Sequence, residues 1–477
     1  MESNSNNKNE IEPLSAMVGR ETVEVETETS KLNVFFWAMY DLANTIYSMV
    51  IVSLIIYRYV LVIGQLEHGM TYGEIAFIYG LVQGLMQVGL AIIVPFIGAF
   101  SDTVGKRKPF VISLAGITLL FASLLGFFHN ITVVLIFYVL SNIGYQLSLT
   151  FYDAMLPFIA SKEDIGKVSG FGVAWGYFGT IIALIVLLPL MLLWGDVISD
   201  PSQGTVTYGY TNYWITFILP MGLFLVLGIP FVFVREKQKK GKMPPLGKVL
   251  KSAFQQLRST FKDIKRHRSM FIYLLAYFLI ANIANVIVLY MMPLITDGLI
   301  VGTNGKASDI FGILFIIIAT FSAVLFTYFV GKFGEKYGPK NCFYLIGVLW
   351  SSSLFIGIVL IFSLPYINIG LNFPFILCLL MGFIAGPALG GTWTANRIMI
   401  TQLAPKEKFG EFFGFSNLSG KVSSSIGPII FGVIIYVATG VGVSLKHSYG
   451  FALIAVALVM LLGLFILTSV EVTRKMD

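Results

Sequence analysis

The sequence predicts an all-α membrane protein of twelve transmembrane helices in two pseudo-symmetric six-helix halves. Three observations carry this. Apolar runs of about 18 residues or more, enough to cross a bilayer's hydrocarbon as a helix, recur along the whole chain. Of 477 residues, 56% are hydrophobic and only 12% charged, where a soluble domain carries about 25% charge. The halves also repeat. Gly98, Asp102, Gly105 and Arg107 of "GAFSDTVGKRK" match Gly331, Glu335, Gly338 and Lys340 of "GKFGEKYGPK" at one constant spacing of 233 residues.

Residues 1–33 are polar and acidic ("ETVEVETETS") and read as a disordered cytoplasmic tail, with no cleavable signal peptide. The first half, 34–234, holds spans with cores at 35–62, 74–100, 109–128, 131–153, 168–193 and 212–234. A linker, 235–269, follows with twelve Lys and Arg. Within it, "LGKVLKSAFQQLRSTFKDI" has apolar residues at helical spacing and predicts a basic amphipathic helix lying on the anionic inner leaflet. The second half, 270–471, holds cores at 270–295, 308–331, 341–363, 372–396, 410–436 and 447–470.

An even number of spans puts both termini on one side. Loops on that side carry nearly all the Lys and Arg, and the opposite loops carry only Lys306 and Lys446. The bias of basic residues toward the cytoplasm therefore predicts cytoplasmic termini. With the basic residues set beside spans, the net charge of +7 orients the chain and does not point to nucleic acid. Cys342 and Cys378 lie in or beside apolar runs and read as packing residues. The four histidines are scattered, without metal-ligand spacing. No nucleophile–base pair or phosphate loop argues for an enzyme, and no cofactor is implied.

"GAFSDTVGKRK" resembles the loop signature between the second and third helices of the major facilitator superfamily. "WAMYDLANTIYS", "FYDAMLPFIA", "GKVSGFGVAWGYFG" and "ANRIMITQLAPKEKFGEFFGFSNLSGKVSSSIGP" follow one another in the order seen in the UMF1 / Atg22-like family of vacuolar amino-acid effluxers, a branch of that superfamily. The resemblance implies the major facilitator fold, with helices 1, 4, 7 and 10 lining a central cavity, and a secondary transporter. One departure stands out. Many superfamily members carry an Arg in helix 4 as partner to the loop aspartate, and "ITVVLIFYVLSNIGYQLSLTFYDAMLP" has none.

Ionisable groups within spans are costly, and each calls for a partner or a function. Asp41 lies about two turns into span 1, with Asn44, Thr45 and Ser48 on the same helix face. Span 7 offers Asn282 and Asn285. Asp153 and Arg397 stand near the cytoplasmic ends of spans 4 and 10. They correspond at a spacing of 244, the spacing that also aligns "SGFGVAWGYFG" with "FGFSNLSGKVS". Opposite charges at symmetry-related positions predict a cytoplasmic gate, with Asp102, Arg107 and Glu335 assisting from the repeated loops. Lys421 lies mid-depth in span 11 among Ser416, Ser419, Gly420, Ser423, Ser424 and Ser425, small residues that leave room for a polar pocket.

These residues predict a carrier of small polar solutes, foremost amino acids by efflux, working by alternating access. Asp41 takes an amino group or a coupling proton; Lys421, with Arg397, takes a carboxylate. A structural ion pair of Lys421 with Asp41 or another buried carboxylate is the other reading of the lysine. A proton-coupled carrier of sugars or polyols would lean instead on the Asn residues and aromatics. A non-transporting sensor on the same fold would have less use for the acidic loop residues Asp102 and Glu335. The expected state is a monomer in the bilayer, in a plasma membrane if prokaryotic and a vacuolar membrane if fungal.

Overall fold

The computed structural model describes residues 30–103, 107–160, 165–194, 197–200, 205–208, 213–236, 247, 268–299, 305–363, 372–403 and 409–471. The acidic tail and, apart from residue 247, the central part of the basic linker lie outside them. Twelve long helices follow in order: α1 Lys31–His68, α2 Tyr72–Thr103, α3 Lys108–Leu124, α4 Ile131–Asp153, α5 Ile165–Trp194 and α6 Tyr213–Gly228. The second six are α7 Arg268–Pro293, α8 Gly305–Tyr337, α9 Pro339–Phe362, α10 Phe373–Leu403, α11 Phe409–Gly440 and α12 Leu445–Leu467. Eleven are long and apolar enough to cross a membrane, and α5 contributes the shorter apolar stretch Trp175–Val186. A small antiparallel hairpin between α5 and α6, β1 Val197–Asp200 with β2 Thr205–Tyr208, was not anticipated from the sequence.

Local chemistry sets the helix ends. Before α2, "TYGE" forms a capping box: Thr71 N donates to Glu74 Oε2 at 2.8 Å, and Glu74 N to Thr71 Oγ1 at 3.3 Å. At α4, Asn130 Oδ1 accepts from Thr132 N and Val133 N at 3.0 and 3.2 Å. Gly69 ends α1 in the left-handed region, with φ 61°, where a side chain would be strained. Inside α1 the ladder widens to a π-helical stretch, Tyr47–Ile55, and a second, Leu294–Leu299, follows α7. Such stretches shift the side chains beyond them around the helix axis, and they are frequent at functional sites.

We call the side bearing the ends of α1 and α12 the terminal face and the other the far face. On the terminal face each half is stapled internally. Arg107 is buried, 2% exposed; its guanidinium pairs with Glu236 at 3.5 Å and lies 4.4 Å from the Phe158 ring. Glu236 also accepts from the otherwise orphaned Arg107 and Lys108 N–H groups at 2.8 and 3.1 Å, placing a carboxylate on the positive end of α3. Lys108 Nζ caps the exit of α6 through Val234 O at 3.0 Å. In the other half Lys340, the repeat partner of Arg107, caps the exit of α12 through Thr468 O and Val470 O at 2.7 and 3.0 Å. Glu236→Ala removes one side of a buried pair and is expected to cost about 3–5 kcal/mol, read as a lowered unfolding midpoint. Glu236→Gln should cost less.

The halves meet through α2 with α11, α5 with α8, and α1 with α7. Glycines bring α2 onto α11. A Cβ at Gly80 would stand 2.5 Å from Pro428 O, and one at Gly84 would stand 2.6 Å from Ser425 O. Beside this crossing, toward the far face, Tyr57 and Tyr79 pack edge-on against Tyr290, with centroids 5.4 and 6.1 Å apart. The Tyr290 hydroxyl donates to Ala76 O at 3.3 Å. The far face is thus shut by an aromatic plug shared between the halves. On the terminal face Asp153 and Arg397 are both exposed.

Candidate functional site

Two pairs of hydrogen bonds fix the depth of the charged residues. The Tyr40 hydroxyl donates to Ser148 Oγ at 2.7 Å, and the Tyr47 and Ser141 hydroxyls share a bond of 2.8 Å. This antiparallel register of α1 and α4 sets Asp41 level with residues 146–147. In the second half Ser419 Oγ donates to Leu274 O at 2.9 Å and Ser423 Oγ to Phe278 O at 2.7 Å, locking α11 parallel to α7 with Lys421 between the two bonds.

The Lys421 ammonium donates to Gln146 Oε1. That bond joins the halves and answers what a cation does midway along an apolar helix. It sits on a neutral amide, at the depth of Asp41. The Asp41 carboxylate lies against α5 beside Gly172 and Gly176, whose missing side chains make room for the neighbouring Trp37 ring and Thr45 hydroxyl; a Cβ there would stand 2.8 and 3.0 Å from them. Thr45 and Ser48 donate to their own helix, to Asp41 O at 2.7 Å and Thr45 O at 3.0 Å, so neither hydroxyl donates to the carboxylate. Asn44 is buried, and its Oδ1 has no hydrogen-bond donor.

No ion pair joins Asp41, Asp153, Arg397 and Lys421 to one another among the described residues. Asp153 nevertheless lies in the electrostatic field of both Arg397 and Lys421, and Asp41 in that of Asp153. The four charges therefore form one loose cluster at the junction of the halves. Next to Arg397, Asn396 Oδ1 accepts from Tyr273 and from Ser416 Oγ at 2.8 Å, tying α7, α10 and α11 together.

The remaining sequence candidates fall elsewhere. Asn282 packs on Gly427, deeper toward the far face, and Asn285 Nδ2 bonds its own helix at Ala281 O, 3.1 Å away. Arg107 packs against Glu236 and Phe158. The side chains of Asp102 and Glu335 lie outside the described residues. Sequence reasoning missed Gln146, because a neutral amide carries no charge signal. It also missed Arg58, 7% exposed within α1, although "IIYRYVLV" displays it. Among the described residues no group of three His, Cys, Asp or Glu could hold a metal ion.

Two six-helix bundles in contact toward the far face, with Asp41 and Lys421 at mid-depth between them, have the architecture of a multi-pass membrane transporter of the major facilitator class. The chain belongs to the vacuole effluxer Atg22 like family, whose model matches residues 70–477. It is 26% identical to the uncharacterized MFS-type transporter YxiO of Bacillus subtilis (strain 168) over 402 residues, 83% of this chain and 87% of that protein. Identity to autophagy-related protein 22 of Yarrowia lipolytica is 25% over 348 residues, 70% of this chain and 56% of the relative. Its fold matches the xylose transporter XylE from E. coli with a TM-score of 0.65 at 14% identity, covering 94% of this chain and 99% of that one.

Proposed function

We propose that the chain is a secondary active carrier of small zwitterions, amino acids foremost, working by alternating access. The observation that supports it most is the placing of opposite charges, Asp41 and Lys421, at one depth on opposite halves without an ion pair between them. A solute carrying an ammonium and a carboxylate would meet Asp41 on one side and Lys421 on the other. Arg397 and Asp153, both exposed, would close the terminal face behind it. The bias of basic residues makes that face cytoplasmic, and the family's name supports efflux from the far compartment into the cytoplasm. A proton shared with Asp41 would couple the cycle.

A thermal-shift screen of the purified protein against amino acids, sugars and inorganic anions tests this, since a ligand of the native state raises apparent stability by mass action. Stabilisation by amino acids is expected. Stabilisation by sugars alone would replace the reading with a polyol carrier. The gate has its own test. Cysteines at positions 153 and 397 should crosslink readily when the far face is held open and poorly in the conformation described here. Equal crosslinking in both would rule the gate out.

A further inference from the structure

Two helices of the first half carry the same unassigned pattern. In α2, "YGLVQGLMQ" sets Tyr79, Gln83 and Gln87 four residues apart; in α4, "YVLSNIGYQ" sets Tyr138, Asn142 and Gln146 four residues apart. Spacing of four keeps each trio on one helix face. Both helices run from the far face toward the terminal face, so the trios stand side by side as ladders with tyrosine at the far end. The Tyr79 and Tyr138 rings stack at 6.0 Å. Asn142 Nδ2 donates to the Tyr138 hydroxyl at 3.3 Å, and Gln83 bears on the same hydroxyl.

Three amide oxygens of the ladders go unmatched, and the Tyr79 hydroxyl beside them is likewise without a partner. Gln83, Gln87 and Asn142 are 1%, 7% and 2% exposed, and Gln83 Oε1, Gln87 Oε1 and Asn142 Oδ1 are all without a hydrogen-bond donor. Three orphaned amide oxygens in one seam are costly in a folded chain. The fourth amide, Gln146, is the one that does find a donor, the Lys421 ammonium. One helical turn, about 6 Å of rise, separates Gln146 from Asn142. A small amino acid with its carboxylate on Lys421 and its side chain aimed at the far face spans about that length. In the conformation described, α11 covers the seam at Gly84 and Ser425. Parting α2 from α11 at the far face would open it.

We propose that the α2–α4 ladder receives the donor-bearing side chain of the solute, so that the carrier prefers amino acids ending in a neutral amide or hydroxyl over apolar ones of the same size. The proposal rests on the zwitterion reading and names the class within it. Asparagine and leucine, close in size, are the probes. Full-length protein in nanodiscs should bind asparagine roughly tenfold more tightly than leucine, the difference one or two net hydrogen bonds make. In Gln83→Leu and Asn142→Leu that preference should fall to near unity. Gln83→Leu should change the unfolding midpoint little, because the orphaned acceptor it removes offsets the contact it loses with the Tyr138 hydroxyl; Gln83→Met provides the same reading if the leucine variant does not fold. Equal wild-type affinity for the two probes would overturn the ladder and leave the zwitterion reading standing. A preference that survives both substitutions would overturn the ladder too. Binding of neither amino acid would remove both.

Discussion

Lys421→Ala is expected to weaken binding of carboxylate-bearing solutes roughly 10- to 150-fold, the equivalent of one charge-assisted hydrogen bond of about 1.5–3 kcal/mol. Lys421→Arg should keep part of the affinity, because the charge remains while the guanidinium's fork geometry differs from a point ammonium. The variant should also fold. The partner of Lys421 is the neutral Gln146 amide, so the alanine leaves no buried carboxylate uncompensated. A structural ion pair with Asp41 would give a different result: lost folded protein in Lys421→Ala, rescued by adding Asp41→Asn. Thermal stability and ligand affinity measured on the same three variants separate the two. Stable Lys421→Ala protein with unchanged affinity would contradict both.

The second large effect is expected at Asp41. With Asn in its place, uptake driven by an imposed proton gradient should lose its dependence on that gradient, while exchange of solute across the membrane continues. The asparagine takes the same place beside Gly172 and Gly176 and keeps the hydrogen-bonding shape, but it cannot cycle between charged and neutral forms. Gradient-driven accumulation that persists in Asp41→Asn, measured in sealed proteoliposomes, would assign the coupling elsewhere.

Much of the architecture was legible because the bilayer constrains sequence so strongly. Span lengths, the two-fold repeat and the basic loops follow from burying backbone in hydrocarbon and from the sidedness of Lys and Arg. The spacing of 233 that aligns Arg107 with Lys340 reappears in the structure as two similar staples, onto the exits of α6 and α12. Arg107 is buried against Glu236 and Phe158, a stapling contact that its charge in a loop signature did not suggest. The candidate site was legible only where it is charged. Asp41, Asp153, Arg397 and Lys421 are conspicuous in apolar runs. The amides between them are not, because Gln and Asn are tolerated in membrane helices as ordinary interhelical bonds. The repeat of Tyr79-Gln83-Gln87 in Tyr138-Asn142-Gln146 takes on meaning once α2 and α4 are known to run side by side. The π-helical stretches had no readable signature, since they depend on which carbonyl each amide chooses.

The most direct test of the central claim is solute counterflow. Purified protein is reconstituted into proteoliposomes preloaded with an unlabelled amino-acid mixture, and entry of labelled asparagine is followed without any imposed gradient. A zwitterion carrier predicts a transient, saturable overshoot of label that is absent from protein-free vesicles and from Lys421→Ala. Folded wild-type protein that shows no overshoot with any amino acid, or an overshoot unchanged in Lys421→Ala, would contradict it.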